Sequence, residues 1–356
     1  MQYRRRDLGY VGGIKMKIAT LTNPEEILIT ETTKPVAKEN EIVIKVDYIG
    51  ICGSDIHAYY GKHPFITCPI TLGHEFVGRV VETGKGVKGV LPGELVTAMP
   101  QIFCHQCEPC RSGRYNICDT LKVIGCQTPG AACDYFAFDA SLVKKIPKGM
   151  PKEIAATIEP AAVGVHAVHR GADVKGKNVV VMGAGTIGNL TAQAALAEGA
   201  KQVLITDLSD YRLEVARECG ISQIANTGKV SVEIAMKQAF QGDKADIFFE
   251  CVGIGATVNQ AIELSKKGHD IVVVGVFGNR PEINMSLVQD KELRLIGSLM
   301  YVEKDYDRTI DLMNRGMIHT KPLISKTFEL ADYAKAFRYI EEHKDSSLKV
   351  LIQVSE

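Results

Sequence analysis

The pattern of hydrophobic and polar positions separates the chain into two kinds of region. From Met16 onward, short apolar runs alternate with turns, as in ENEIVIKVDYIGIC and GRVVETG, and few stretches have a helical period. From Lys175, apolar runs alternate with stretches of helical period, which is typical of a parallel sheet with helices on both faces. The pattern therefore predicts an α/β protein in which a doubly wound parallel sheet joins a β-rich domain.

The strand predicted at Asn178 to Met182 is followed by a glycine motif. Gly183, Gly185 and Gly188 have G-x-G-x-x-G spacing, and an alanine-rich helix is predicted directly after them. Glycine at these positions lets a pyrophosphate approach the helix N-terminus, where free N–H groups favour anions. The motif in this context predicts a dinucleotide site.

The next predicted strand, Gln202 to Thr206, ends at Asp207, near the position that binds both ribose hydroxyls of NAD. A carboxylate there repels the 2′-phosphate of NADP, so we predict NAD over NADP. Arg212 weakens this preference, because an arginine can pair with that phosphate. Two further apolar runs, ADIFFECVG and DIVVVGVFG, predict more strands of the same sheet.

The charges of the chain cancel, with 42 basic and 42 acidic side chains. No net field therefore attracts nucleic acid or an anionic membrane, and a small neutral molecule is the expected partner. No apolar run reaches the roughly 18 residues that span a membrane, and residues 1–15 lack the apolar core of a signal peptide. We interpret residues 1–15 as an appendage and expect a cytoplasmic protein.

Four cysteines are clustered in a stretch that is predicted to be a loop, with the pattern C-x2-C-x2-C-x7-C: Cys104, Cys107, Cys110 and Cys118. Four thiolates can close tetrahedrally on one Zn²⁺ and leave no position for a substrate. An iron–sulfur cluster uses the same ligands and is the alternative. We predict a structural zinc that stabilises a lobe without an apolar core of its own.

A second candidate metal site lies in GICGSDIH and LGHEFVGRVVETGKGV. Cys52, His74 and a carboxylate would supply a thiolate, an imidazole and an oxygen, a set that suits a zinc with one open position. Taken singly, Cys52 is more often a buried apolar residue and His74 a hydrogen-bonded loop histidine. The combination with the glycine spacing favours the metal site.

At these motifs the chain resembles the zinc-dependent medium-chain dehydrogenase/reductase family, and within it the sorbitol or L-iditol type of polyol dehydrogenase. The family signature G-H-E-x2-G-x5-G-x2-V is matched by Gly73, His74, Glu75, Gly78, Gly84 and Val87. The resemblance implies a GroES-like catalytic domain, with a β-rich, partly open barrel, over residues 1–165 and 307–356. It implies a Rossmann dinucleotide-binding domain over residues 166–306.

The same resemblance implies roles for residues around the open metal. Cys52 and His74 are expected to be zinc ligands, with Glu75 either direct or exchanging with water. Glu159 stands where related alcohol dehydrogenases have a cysteine and polyol dehydrogenases have a glutamate that contacts the zinc or holds its water. Which glutamate is the third ligand is left open.

Proton transfer and cofactor contacts are also implied by the resemblance. Ser54 and His57 match a relay for the substrate proton, and Asp55 matches a carboxylate that orients the ligand histidine. The cofactor contacts are expected at Gly183, Gly185, Ile187, Gly188, Asp207, Arg212, Val274, Gly275, Val276, Ser298, Leu299 and Met300.

These expectations together predict an enzyme, a zinc- and NAD-dependent oxidoreductase of a secondary alcohol, which is expected to be a polyol or sugar-derived alcohol. Met300 stands where sorbitol-type relatives have an arginine, and Gly93-Glu94-Leu95-Val96 replaces the usual GDRV. Sugar acids, vicinal diols such as butanediol and L-threonine therefore remain open. The alternative classes are a non-catalytic NAD-binding sensor and a zinc-dependent nucleic-acid module. A homodimer or homotetramer is expected by resemblance.

Overall fold

The computed structural model describes residues 13–355. Most of the appendage predicted over residues 1–15 therefore lies outside the described residues. The strands are β1 Lys15–Asn23, β2 Glu26–Thr33, β3 Glu41–Ile51, β4 Glu75–Thr83, β5 Leu95–Ala98, β6 Gln101–Ile102, β7 Lys122–Val123, β8 Tyr135–Asp139, β9 Val143–Lys145, β10 Asn178–Met182, β11 Gln202–Asp207, β12 Gln223–Asn226, β13 Ile247–Glu250, β14 Asp270–Val273, β15 Arg294–Gly297, β16 Ile324–Glu329 and β17 Lys349–Gln353.

Most of the longer helices follow the strands of the second half of the chain. The α-helices are α1 Gly53–Tyr59, α2 Glu108–Arg111, α3 Lys152–Ala155, α4 Ile158–Arg170, α5 Thr186–Ala197, α6 Asp210–Glu218, α7 Val232–Ala239, α8 Gly255–Leu264, α9 Met285–Asp290, α10 Glu303–Asn314 and α11 Tyr333–Glu342. No helix among residues 13–355 has both the length and the apolar character needed to cross a bilayer.

Six parallel strands form the sheet predicted from the alternating pattern. Their order is β12-β11-β10-β13-β14-β15, and every neighbouring pair is parallel. The apolar side chains of β10 are fully buried, as expected for a strand covered on both faces. The strand order reverses between the neighbours β10 and β13, and such a switch point opens a crevice at the carboxyl ends of the strands.

The β-rich half forms a second sheet of seven strands. Its main path is β16-β17-β3-β4-β5-β9, with β8 paired to the other end of β3. The C-terminal strand β17 pairs antiparallel with β3, so Val350 faces Ile51. The last part of the chain thus returns to the sheet that the first part begins. One core packs on β3 and β4 of the β-rich sheet, and another packs on one face of the parallel sheet. A third core is shared by the two sheets and joins Val77 and Leu351 to Val179 and Val181 of β10.

Helix α4 is continuous from Ile158 to Arg170 and crosses the domain boundary predicted at residue 165. It packs against α5 and α10, which belong to the second half of the chain. The loop predicted around the four cysteines contains the single turn α2 and a 3-10 turn at Tyr115–Ile117. Pro109 in the first turn of α2 is compatible with a helix start, where its missing N–H costs nothing.

Candidate active site and metal centres

A cleft of about 1370 Å³ lies between the two sheets. The metal-ligand candidates Cys52 and His74 line it, and so do Gly185 and Ile187 from the glycine-rich turn. The two motifs are about 110–130 residues apart in the sequence, and folding brings them to one cavity. The cleft therefore combines a group of soft and hard donor atoms with the carboxyl edge of the parallel sheet.

The donor atoms of Cys52, His74 and Glu75 all lie within 4.8 Å of one another. Cys52 directly precedes helix α1, His74 precedes β4, and Glu75 is the first residue of β4. Gly50 on β3 makes room for this carboxylate, because a Cβ added there would lie 1.9 Å from Glu75 Oε2. The three donors could bind one cation, and a set of three protein ligands is the kind that leaves a zinc one further position.

Glu75 is also bonded to a buried lysine that the sequence interpretation missed. Lys349 Nζ donates to both carboxylate oxygens of Glu75 at 2.7 Å and to the carbonyl of Ile51 at 3.0 Å. Burial disfavours the charged lysine, but the attraction of Glu75 outweighs it and raises the pKa of Lys349. The sequence contained one signal for this bond, since Lys349 begins the apolar run KVLIQ. A lysine buried with such a run needs an acidic partner.

Asp55 lies beside the predicted ligand histidine. Its Oδ2 accepts a hydrogen bond from the Cys52 N–H at 2.9 Å, and its Oδ1 is 3.5 Å from His74 Nδ1. Burial opposes protonation of His74, yet Asp55 raises the pKa of His74 well above its usual range. A cation bound to His74 would have to displace that proton, so metal affinity should rise with pH.

Glu159 approaches the same cavity from the first turn of α4, but it is not part of the three-residue donor group. Its Oε1 accepts a hydrogen bond from the hydroxyl of Tyr301 at 2.7 Å. Both side chains are buried, and burial raises the pKa of Glu159 to about 7. In the described chain, Glu75 is the carboxylate grouped with Cys52 and His74.

The two relay candidates differ in their position. Ser54 lines the cleft, whereas His57 is exposed on α1 and is not among the lining residues. A different histidine, His63, lines the cleft and was missed because no motif marks it. Its Nδ1 accepts a hydrogen bond from the Phe65 N–H at 3.1 Å.

The four clustered cysteines converge in the lobe that follows β6. Two thiol pairs, Cys104 with Cys110 and Cys107 with Cys118, have Sγ–Sγ distances of 3.9 Å. Tetrahedral zinc with Zn–S of about 2.3 Å requires thiolates roughly 3.8 Å apart. A cluster with several irons binds its cysteines to different metal atoms, so the observed spacing favours a single metal.

Backbone N–H groups around these thiols already favour negative charge. The N–H groups of Gln106 and Cys107 lower the pKa of Cys104 to about 6, and the Cys107 amide donates to Cys104 Sγ at 3.3 Å. Burial has the opposite effect on Cys110 and raises its pKa to about 12. The amides of Cys104 and Thr120 donate to Cys118 Sγ. Because a thiolate is the metal ligand, this backbone arrangement prepares the cluster for a cation.

The glycine-rich turn has the geometry that a dinucleotide requires. Gly183 has a φ of +96°, and a Cβ added at Gly188 would lie 1.8 Å from the carbonyl oxygen of Gly183. No larger residue fits that close approach of helix and strand. Helix α5 begins at Thr186, so its free N–H groups face the cleft beside Gly185 and Ile187.

Asp207 ends β11 at the rim of this turn. One carboxylate oxygen accepts from the Ala184 N–H at 2.7 Å and the other from the Ser209 N–H at 2.9 Å. Arg212 lies 4.0 Å from the carboxylate and donates to the carbonyl of Lys344 at 2.7 Å. The acidic residue is therefore fixed, and the arginine is bonded to the C-terminal part of the chain.

The remaining cofactor candidates follow the carboxyl ends of β14 and β15. All of them line the cleft: Val274, Gly275, Val276, Ser298, Leu299 and Met300. Gly275 approaches Gly253 so closely that an added Cβ would lie 2.2 Å from the Gly253 nitrogen. Two backbone segments therefore pack directly on each other at this edge of the sheet, which only glycine at position 275 permits.

Family comparisons agree with this geometry. Residues 38–148 match the alcohol dehydrogenase GroES-like domain, and residues 186–315 match the zinc-binding dehydrogenase domain. A sorbitol dehydrogenase from Halalkalibacterium halodurans is 34% identical over 344 residues, which is 95% of this chain and 99% of the relative. The chain belongs to the zinc-dependent medium-chain dehydrogenase family. This zinc-dependent dehydrogenase is also 30% identical over 322 residues to the L-galactonate-5-dehydrogenase of Escherichia coli, covering 90% and 94% of the two chains.

Among solved structures, an Escherichia coli oxidoreductase of unknown specificity superposes with a TM-score of 0.91 at 33% identity, covering 96% of this chain and 100% of the other. The predicted Rossmann and GroES-like fold, the family and the reaction class are confirmed. The protein is an oxidoreductase of alcohols that uses zinc and a nicotinamide dinucleotide. The roles of individual residues and the domain boundaries stay predictions.

Proposed function

We propose that this dehydrogenase oxidises a neutral secondary alcohol with a neighbouring hydroxyl, a polyol or vicinal diol, and reduces NAD. The observation that carries the proposal is the shared cleft: the donor group of Cys52, His74 and Glu75 opens into the cavity that the glycine-rich turn borders. An alcohol at the open metal position would face a nicotinamide at the sheet edge. The presence of all three donors argues against a sensor that has lost catalysis.

Cys52, His74 and Glu75 would hold the catalytic zinc, and Cys104, Cys107, Cys110 and Cys118 the structural zinc. When bound, zinc supplies a Lewis acid for the alcohol oxygen, and NAD supplies the hydride acceptor. Asp55 would orient His74, and Lys349 would hold Glu75. Glu159, held by Tyr301, lines the same cleft and would bind a water or a substrate hydroxyl there.

Ser54 is the residue proposed to accept the substrate proton, since its hydroxyl lines the cleft beside the metal donors. The exposed His57, three residues along α1, would pass the proton to solvent. His63 offers a second polar group at the cleft wall, and burial lowers the pKa of His63, which keeps it neutral near pH 7.

NAD is proposed over NADP because Asp207 occupies the ribose-binding corner with both oxygens fixed by backbone N–H groups. A 2′-phosphate would meet this carboxylate. Arg212 is held by the carbonyl of Lys344, which reduces its freedom to turn toward such a phosphate.

The charge of the cleft supports a neutral substrate. Among the described lining residues, the lysines and arginines are Arg212, Lys344 and Lys349. Arg212 lies beside Asp207 and donates to the carbonyl of Lys344, the Lys344 ammonium pairs with Glu341, and Lys349 pairs with Glu75. The wall around the metal donors instead has the carboxylate of Asp119 and apolar residues such as Leu121 and Val123. A carboxylate or phosphate on the substrate would find no cationic partner there.

The test is an NAD reduction screen that pairs neutral and anionic substrates. The neutral alcohols sorbitol, xylitol, L-iditol and butanediol are compared with the anions galactonate and a polyol phosphate. Zwitterionic L-threonine is measured separately, and Cys52→Ser is the blank. Neutral alcohols should exceed anionic ones by at least about tenfold in kcat/KM, because an unpaired charge in the cleft costs more than 1.4 kcal/mol. A zinc-loaded enzyme that prefers an acid or phosphate would overturn the substrate class, and one inactive on every alcohol would overturn the enzyme proposal.

We further propose the catalytic domain over residues 1–165 and 307–356, the dinucleotide domain over residues 166–306, a cytoplasmic location, and a homodimer or homotetramer. The pairing of β17 with β3, and the two cores that are each confined to one sheet, support the division. Sedimentation of the zinc-loaded protein tests the assembly, and a monomer at micromolar concentration would contradict it.

A further inference from the structure

The segment after β15 has an unusual backbone. Met300 has a φ of +50°, a left-handed conformation that a residue with a long side chain rarely adopts. Ser298, Leu299 and Met300 all line the cleft where the nicotinamide is proposed to bind. A strained conformation of this kind persists only when its surroundings hold it.

Two buried side-chain amides hold the backbone on both sides of Met300. Asn116 Nδ2 donates to the carbonyl of Leu299, and Gln101 Nε2 donates to the carbonyl of Tyr301, both at 2.8 Å. Gln101 is 0% exposed and Asn116 is 6% exposed, so water does not compete for these bonds. The two bonds fix the carbonyls that flank the left-handed residue.

Both amides come from the ends of the cysteine lobe. Gln101 precedes Cys104 by three residues, and Asn116 precedes Cys118 by two. The lobe is further joined to the segment by Tyr115, whose hydroxyl accepts from the Glu303 N–H and whose ring stacks on Phe103. The cysteine lobe, which is not proposed to take part in the reaction, thus contacts the backbone beside the proposed nicotinamide.

We propose that Gln101 and Asn116 are positioning residues, through which the cysteine lobe sets the backbone of residues 299–301 against the nicotinamide. This inference rests on the proposed cofactor site. Without the two bonds, Met300 would relax toward an ordinary conformation and the carbonyls of Leu299 and Tyr301 would turn. The adenosine end of the site, at Asp207, has no contact with either amide and would be unaffected.

The experiment compares two ligands that share the adenosine end. NADH and ADP-ribose binding to the zinc-loaded enzyme are measured by fluorescence and calorimetric titration for Asn116→Ala and Gln101→Leu. Each variant should bind NADH about fivefold more weakly, the effect of one lost hydrogen bond, and bind ADP-ribose as the unmodified enzyme does. Equal loss for both ligands, or no loss for NADH, would overturn the proposal.

A matched control and a compensating change separate positioning from general stability. Gln193→Leu removes a buried amide that bonds the His319 carbonyl at 3.1 Å, far from this segment, and should leave NADH affinity unchanged. Glycine tolerates left-handed backbone, so Asn116→Ala should cost less NADH affinity in a Met300→Gly background than in the unmodified chain. An equal cost in both backgrounds would contradict the role of the strained residue.

Failure of the cofactor site itself has a different outcome. If the unmodified chain binds ADP-ribose but gains nothing from the nicotinamide of NADH, the proposed nicotinamide position is wrong. If it gains affinity from the nicotinamide and both amide variants keep that gain, the nicotinamide position stands and the positioning role is wrong.

Discussion

The two donor groups of this dehydrogenase are built in opposite ways. The four cysteines lie within fifteen residues of the sequence, are alike, and are partly exposed apart from Cys118. Cys52, His74 and Glu75 are three different donors, and their environment is completed by Lys349 from the far end of the chain. A closed set of local ligands stabilises structure, whereas an open site depends on side chains that only the complete fold brings together.

The largest expected effect is on the open site. Cys52→Ser should reduce turnover to below about one-thousandth, because even changes that only reorient a metal ligand cost 10–100-fold. Metal analysis should find one zinc per chain, retained by the cysteine lobe. Two zincs with normal turnover would show that Cys52 is not a ligand.

Breaking the Lys349–Glu75 pair should have the next largest effect, on the stability of the protein. Lys349→Met would leave a buried carboxylate unpaired and lower the free energy of unfolding of the metal-free protein by about 3–5 kcal/mol. Denaturant unfolding measures this, and Lys349→Met with Glu75→Gln should recover part of the loss because no buried charge is left alone. A double variant as unstable as the single one would argue against the pair.

A change in the four-cysteine group should affect the stability of the protein more than its turnover. Cys110→Ser should release one zinc and lower the melting temperature on the order of 10 °C, since a structural metal contributes its binding energy to folding. The open site should keep its zinc, and turnover should fall far less than in Cys52→Ser. Loss of both zincs in this variant would contradict the independence of the two groups.

The smallest effect concerns the contact between α4 and α10, at a cavity that the cysteine lobe also borders. His169 Nδ1 is 2.6 Å from Asp305 Oδ1, and this bond, opposed by burial, raises the pKa of His169. A raised folded pKa contributes stability below about pH 6.5, the unfolded value, and loses it as pH rises through the folded pKa. His169→Gln should remove this decrease of the unfolding free energy between pH 6 and pH 8. The same pH dependence in the variant would show that His169 is not its cause.

The sequence predicts features that neighbouring residues form, but not contacts between residues that are far apart in the chain. The cysteine spacing, the glycine turn and the strand at Asn178 to Met182 are local patterns, and the folded chain contains each where the pattern predicts it. Lys349 could not be predicted, because Glu75 is 274 positions away and the two meet only when β17 pairs with β3 and β3 pairs with β4. The same holds for Tyr301, whose hydroxyl bonds Glu159 across 142 positions.

Helix α4 has a mechanical consequence for domain motion. It carries Glu159 in its first turn, packs along α5 of the nucleotide half, and runs unbroken for 13 residues, or roughly 20 Å. If the two halves close on each other with α4 intact, the chain would bend mainly near the ends of this helix. The Glu159 carboxylate would then move with the nucleotide half, and its distance from Cys52 and His74 would change.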